Sequence, residues 1–218
     1  MLVVADGMGG HQGGEVASRL AVDAIIESLE PEIAGASSGT TDADIRGKLD
    51  RAFRLANERI VSRRSGDPRL EKMGTTLVVA WLSGNQAHIA HIGDSRCYSL
   101  RGSQALCLTR DDTVVQNMLE DGSITRADVP NVPFRNVLTR AVGTVEQAAP
   151  SYRRETLDEG DVLLLCSDGL TDSVPEYRWL EIHKESDGME RTVQAMIDAG
   201  LKNEAGDNVS VVLLTLEY

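Results

Sequence analysis

The order in which hydrophobic period changes along this chain constrains its fold more than any other feature. Residues 15–30 place Val22, Ile25, Ile26 and Leu29 at the i, i+3, i+4, i+7 spacing of a helix face. Residues 44–63 repeat the pattern through Ile45, Leu49, Phe53, Ala56 and Ile60. Between them, residues 31–42 begin at Pro31, are rich in Gly, Ser and Thr, and read as a loop. The period then shifts. Residues 75–82 and 87–100 predict two strands around a turn at Ser83-Gly84-Asn85. A third strand, 106–109, follows a turn at Arg101-Gly102-Ser103, giving a hairpin-linked meander. Residues 114–120 predict a short helix. Residues 121–135, with Pro130 and Pro133, read as an irregular excursion, and 136–142 as a returning strand. Residues 151–156 and 162–166 predict a hairpin across 158–161. Helices at 176–184 and 189–203 and a strand at 208–216 close the chain, and Leu2-Val3-Val4-Ala5 opens it as a strand. Paired helices on either side of a strand block predict an α+β fold. The expected form is a four-layer α-β-β-α sandwich of two mainly antiparallel sheets flanked by helix pairs, one domain over residues 1–218.

Composition narrows the function. Acidic residues number 34 against 22 Lys and Arg, a net charge of -12 over 218 residues. Nucleic acid and anionic lipid both require basic surface, so neither is an expected partner. Aromatics are 4% of the chain, which predicts an aliphatic core. Cys97, Cys107 and Cys166 form no CxxC pair and are odd in number, which predicts buried thiols in a reducing, cytoplasmic compartment. No apolar run approaches the ~20 residues of a membrane helix. The first residues lack a basic region, and Asp6 interrupts them, so they do not form a secretory signal.

Four times an apolar strand meets an Asp beside a Gly. The sites are Asp6-Gly7, Gly93-Asp94, Asp168-Gly169 and Gly206-Asp207. Any one alone reads equally as a turn residue. Four recurrences favour convergence of strand ends on one spot, where clustered carboxylates repel unless a cation lies among them. Oxygen donors without clustered Cys or His favour Mg2+ or Mn2+ over Zn2+. The Gly9-Gly10-His11-Gln12-Gly13-Gly14 run is not a nucleotide phosphate loop, because no Lys-Ser/Thr follows and the GxGxxG spacing is missed.

Asp6-Gly7-Met8-Gly9-Gly10-His11 resembles the signature of bacterial metal-dependent Ser/Thr protein phosphatases of type 2C, the PPM family. Gly74-Thr75-Thr76-Leu77, Gly93-Asp94-Ser95-Arg96, Ser167-Asp168-Gly169-Leu170 and Gly206-Asp207-Asn208-Val209 follow in the family's order, so the resemblance spans essentially the whole chain. It implies hydrolysis of phosphoserine and phosphothreonine by a metal-activated water, at a centre of two Mn2+ or Mg2+ ions. Asp6 would bridge both ions, Gly7 would offer its carbonyl, and Asp168 and Asp207 would complete one ion's ligands. A weaker third ion would lie at Asp94, Asp168 and Asp172. His11 would be the general acid, and residues 111–135 the flap beside the substrate entrance. The implied partners are phosphorylated proteins, the targets of a Ser/Thr kinase and the kinase itself, met by a monomer. The family also carries a segment ahead of the Asp6 motif, with a strand, a phosphate-clamping Arg and an acidic motif. This chain is expected to lack that segment, and no other Arg is assigned the clamp. Two further readings stay open: a catalytically weak or inactive phosphatase-like regulator binding a kinase or phosphoprotein, and a hydrolase of small phosphoesters.

The remaining polar residues take plainer readings. His88 and His91 lie three apart on one strand, hence on opposite faces, which favours structural roles. His183 is expected at the surface of a late helix. Arg96 is expected to pair with Asp94, Thr75 and Thr76 to shape their strand, and Cys166 to be an inert buried thiol. Setting aside the five assigned Asp residues leaves 29 acidic against 22 basic. That surplus suggests basic substrates.

Overall fold

The computed structural model describes residues 1–36 and 40–216, apart from the side chain of His11. The elements are β1 (Leu2–Val4), β2 (Gly7–Met8), α1 (His11–Ala34), α2 (Asp42–Arg64), β3 (Gly74–Thr75), β4 (Leu77–Ser83) and β5 (Gln86–Ile92). They continue as β6 (Arg96–Arg101), β7 (Gln104–Cys107), α3 (Val114–Glu120), β8 (Ser151–Thr156) and β9 (Val162–Cys166). The chain ends with α4 (Asp168–Ser173), α5 (Glu176–Glu185), α6 (Met189–Lys202) and β10 (Val211–Thr215).

Two antiparallel four-stranded sheets, ordered β1-β4-β5-β8 and β10-β9-β6-β7, stack face to face. The period of two in each strand divides the core into three layers. Val78, Ala80, Ala87 and Ile89 of the first sheet meet Cys97, Leu163 and Leu165 of the second. On the opposite face of the first sheet, Leu77, Val79, Trp81, Ala90 and Ile92 pack under Ile25, Leu49, Phe53 and Ile60 of α1 and α2. On the outer face of the second, Tyr98, Val162 and Leu164 pack against Leu170, Trp179, Ile182 and Met196 of α4, α5 and α6. The α-β-β-α sandwich predicted from helix order is the observed architecture.

Several local expectations are corrected. Residues 87–100 are two strands in different sheets, because Gly93, at φ 104°, turns the chain out of the first sheet and into the second. Residues 151–156 and 162–166 are not a hairpin either: β8 pairs with β5, while β9 lies between β10 and β6. The link crosses sheets because Leu157 is buried in the inter-sheet core, and the buried Asp161 carboxylate is held by Arg101 at 2.5 Å. Helix α1 starts at His11 and runs through Pro31 to Ala34. The first turn is closed by the Gly14 amide donating to the Gly10 carbonyl at 2.9 Å, with Gly13 and Gly14 close against Met73 and Gly7, and the last turn is held by Ile33 against the core. Helix α2 starts two residues earlier than expected, at a Thr41–Asp44 capping box. Residues 136–142 form no ladder, only single bridges from Leu138 to Thr113 and from Val142 to Thr75. Strand β10 starts at Val211, because Asn208 and Ser210 bond instead to the Ser167 hydroxyl. The short helix α4 had no counterpart in the expected elements.

Candidate metal centre

Asp6 lies between β1 and β2, where two threonines replace the ladder. Its amide donates to Thr76 Oγ1 at 3.0 Å, and its carbonyl accepts from the Thr75 hydroxyl at 2.8 Å and the Thr76 amide at 2.8 Å. Thr76 Oγ1 also lies 2.6 Å from Ser95 Oγ, which ties the Asp6 turn to the residue after Asp94. These threonines shape the strand, as expected. Gly7 pairs with Thr75 in the adjoining β2–β3 ribbon.

Asp94 follows the Gly93 turn. That turn is fixed by Asp112, a buried carboxylate that accepts the Gly93 amide at 3.0 Å, while the Asp112 amide donates to Gly93 O at 3.0 Å. Asp168 opens α4 directly after β9, and Asp172 follows one turn later on the same helix face. Asp207 precedes β10, its carboxylate accepting the Asn208 amide at 2.7 Å. Its loop lies against Asp168 because Gly169 lets the chain approach: a Cβ there would stand 2.2 Å from the Asn208 carbonyl oxygen. The Ser167 hydroxyl donates to that same oxygen at 3.2 Å.

Four separate strand ends thus deliver carboxylates within each other's fields. Burial, then Asp168, Asp207 and Asp94, push the Asp6 carboxyl up to about 7. Burial, then Asp168 and Asp111, push Asp94 up to about 7. Asp168 is raised by burial and then by Asp172. Its Oδ1 is buried with no hydrogen-bond partner. An orphaned carboxylate oxygen among mutually repelling carboxylates is what an oxygen-ligated divalent cation would satisfy. Among the described residues, no three such groups already stand as a closed ligand cluster. The donor set fits a hard cation at Asp6, Asp168 and Asp207, with Asp94 and Asp172 alongside.

Facing these carboxylates is a cavity of about 390 Å³, lined by Asp94, Asp168 and Asp172 on one side and by Val129, Pro130 and Arg135 on the other. The second group belongs to the irregular excursion at 121–135, which follows α3 and contains a 3-10 turn at Val129–Asn131. Ahead of it, Asp112 is bonded to the Gly93 turn and Thr113 is bridged to Leu138.

Arg96 does not pair with Asp94. It forms a two-pronged bridge to Asp111, at 2.8 and 2.6 Å, and donates to Tyr98 Oη at 3.1 Å. Asp111 and Asp112 are the supporting residues the sequence reading missed; their adjacency after β7 was the available signal. His88 meets Tyr152 Oη at 2.5 Å on the helix side, whereas His91 Nε2 meets the Arg110 carbonyl at 2.7 Å on the inter-sheet side. His183 is half-buried, not a surface residue. Burial pushes the Cys97 and Cys166 thiols far above their ordinary range, and all three cysteines are free. His11 begins α1, and its side chain lies outside the described residues.

Comparison with known proteins places relatives along essentially the whole chain. Residues 1–204 match the family model described as protein phosphatase 2C. The serine/threonine protein phosphatase PstP of Mycobacterium tuberculosis is 38% identical over 98% of this chain, which spans 40% of PstP's length. The serine/threonine phosphatase Stp of Listeria innocua is 35% identical over 98% of this chain and 83% of its own. A crystal structure of the PstP catalytic domain in complex with two manganese ions superposes at TM-score 0.83, with 35% identity, covering 97% of this chain and 85% of that one.

Proposed function

This chain belongs to the protein phosphatase 2C family, and from that premise we propose that it hydrolyses phosphoserine and phosphothreonine in proteins. The observation that carries the reading is the convergence of Asp6, Asp94, Asp168 and Asp207 from four strand ends, with Asp168 Oδ1 orphaned among them. Asp6, Asp168 and Asp207, with the Gly7 carbonyl, are the proposed ligands of two Mn2+ or Mg2+ ions, and Asp94, Asp168 and Asp172 of a weaker third. Bound there, divalent cations supply an activated water and neutralise phosphate charge.

The chain's own residues do the rest. Thr75 and Thr76 fix the Asp6 backbone, from which its carboxylate projects. Asp112 and Ser95 hold the Asp94 turn against it. Arg96 gives its two-pronged hydrogen bonds to Asp111 and not to Asp94. His11, two residues past Gly9, is proposed to protonate the leaving alkoxide, a step worth ~10² to 10⁴ in rate. The excursion facing Asp94 is proposed as the substrate flap. Phosphoproteins, including kinase targets and the kinase itself, are the proposed partners of a monomer. Two fully buried free thiols support a reducing, cytoplasmic setting. Among the described residues, no helix is long and apolar enough to cross a membrane.

A phosphothreonine peptide incubated with the protein and Mn2+ should release phosphate, and chelator should stop it. Absence of release with Mn2+ present overturns the reading.

A further inference from the structure

Charge is distributed unevenly along this chain. Residues 51–72 hold seven Arg and Lys against three Asp and Glu, whereas the rest holds 15 basic against 31 acidic. The stretch covers the second half of α2, the 3-10 turn Pro68–Leu70 and the approach to β3. Arg51, Arg54, Arg63, Arg69 and Lys72 are exposed. Among the described residues, Arg54, Arg63 and Lys72 enter no ion pair. Arg59 pairs with Glu27 at 2.7 Å and Arg69 with Asp67 at 2.9 Å; such exposed pairs are weak and exchange partners readily. Arg64 is different, since it donates to the Gly143 carbonyl at 2.8 Å and holds that loop. The helix dipole accounts for Arg63 and Arg64 in the last turn of α2. It does not account for Arg51, Arg54 or Lys72, which lie outside that turn.

Shape and position add to charge. Two open hollows, of about 600 and 710 Å³, meet at Ser65. The first lies between α1 and α2, with Leu20, Leu55, Glu58, Arg59 and Arg63 in its wall. The second is lined by residues 64–68 and Glu71, with Asp67 there paired to Arg69. At its far end the Lys72 carbonyl packs directly on Gly9, and Met73 packs on Gly13. Gly9 lies three residues from Asp6, so the basic surface ends one loop away from the carboxylate cluster.

We propose that this surface docks an acidic segment of the phosphoprotein substrate, next to the phosphorylated residue. The inference rests on the phosphatase reading above. It runs opposite to the basic-substrate preference that bulk charge suggests, because attraction is set by the local field where the chain docks. The strongly acidic remainder repels the same segment, which confines it to this surface and adds specificity more than affinity.

The test measures binding and turnover separately. Fluorescent phosphothreonine peptides, one flanked by Asp and Glu and one by neutral residues, are titrated into the full chain. The same titrations are made with the Arg54→Glu/Arg63→Glu/Lys72→Glu variant, and p-nitrophenyl phosphate hydrolysis is followed in parallel. The acidic peptide should bind the unmodified chain about tenfold more tightly than the neutral one. The variant should lose that preference while p-nitrophenyl phosphate hydrolysis is unchanged. Raising ionic strength to about 0.5 M should remove it too, since screening then acts within ~5 Å. If the variant unfolds, the Arg54→Gln/Arg63→Gln/Lys72→Gln variant replaces it. Equal binding of the acidic peptide by variant and unmodified chain overturns the proposal. So does a single-stranded oligonucleotide that binds as tightly as the peptide. If p-nitrophenyl phosphate is not hydrolysed at all, the phosphatase reading fails, and the binding comparison still decides the docking claim.

Discussion

Replacing Gly169 with Ala tests how the Asp168 and Asp207 loops are brought together. The new Cβ would stand 2.2 Å from the Asn208 carbonyl oxygen, about 1 Å inside the closest comfortable carbon–oxygen approach. The obstacle is backbone, so it cannot rotate away. Either α4 or the Asp207–Asn208 loop must move by about that amount, and the Ser167 bond to Asn208 O goes with it. Overpacking of this kind costs ~1–3 kcal/mol. The better helix propensity of Ala recovers up to ~1 kcal/mol. A net loss of ~1–2 kcal/mol lowers the unfolding midpoint by ~2–8 °C in a chain of this size. The effect on the site is larger, because a ~1 Å misplacement of a reacting group costs about 10²-fold in rate. Gly206→Ala is the matched control: it lies in the same loop, and its Cβ meets nothing within 4 Å. The assays are thermal unfolding without metal, Mn2+ titration by calorimetry, and phosphate release. If Gly169→Ala behaves like Gly206→Ala in all three, close approach of these loops is not what builds the centre.

Two further predictions concern electrostatics. Asp6 and Asp94 titrate near 7 in the folded chain against an ordinary 3.8, so their ionisation opposes folding. Their contribution to metal-free stability should therefore be greatest below about pH 4 and fall as pH rises through about 7, with Asp94 alone costing at most on the order of 4 kcal/mol. Urea midpoints of chelator-treated protein at pH 5 and pH 8 measure this, and Asp94→Asn should flatten the difference. Arg96→Ala leaves the Asp111 carboxylate uncompensated beside Asp94 and should cost ~1–3 kcal/mol in urea unfolding, since the pair is only partly buried. Arg96→Lys keeps the charge but not the two-pronged geometry, and should recover only part of that loss.

How much of this was legible in the sequence depended on whether the signal was local. The helix at Val114–Glu120 was readable because its period and its Thr113 cap are contiguous. The four carboxylates were readable because each is marked by a strand end and a glycine, and a repeated local mark does not require knowledge of the fold. Sheet membership was not readable: β5 and β6 share an apolar pattern whichever sheet they join, and only Gly93 marks the crossing. The Arg96–Asp111 bridge was not readable for a similar reason. It joins residues 15 apart across a strand pair, and Asp94 was the nearer carboxylate in sequence. The helix was read from residue 15 and not from His11, because Gly13 and Gly14 are poor helix formers whose place in α1 is set by tertiary packing against Met73 and Gly7.

The central claim is that carboxylates from four strand ends form one metal-dependent hydrolytic centre. Its most direct test is phosphate release from a phosphothreonine peptide as Mn2+ is raised, measured together with calorimetric Mn2+ binding, for the unmodified chain and for Asp168→Asn. The account predicts that the substitution abolishes core-ion binding and turnover together. Turnover that survives in Asp168→Asn with Mn2+ binding abolished would contradict it.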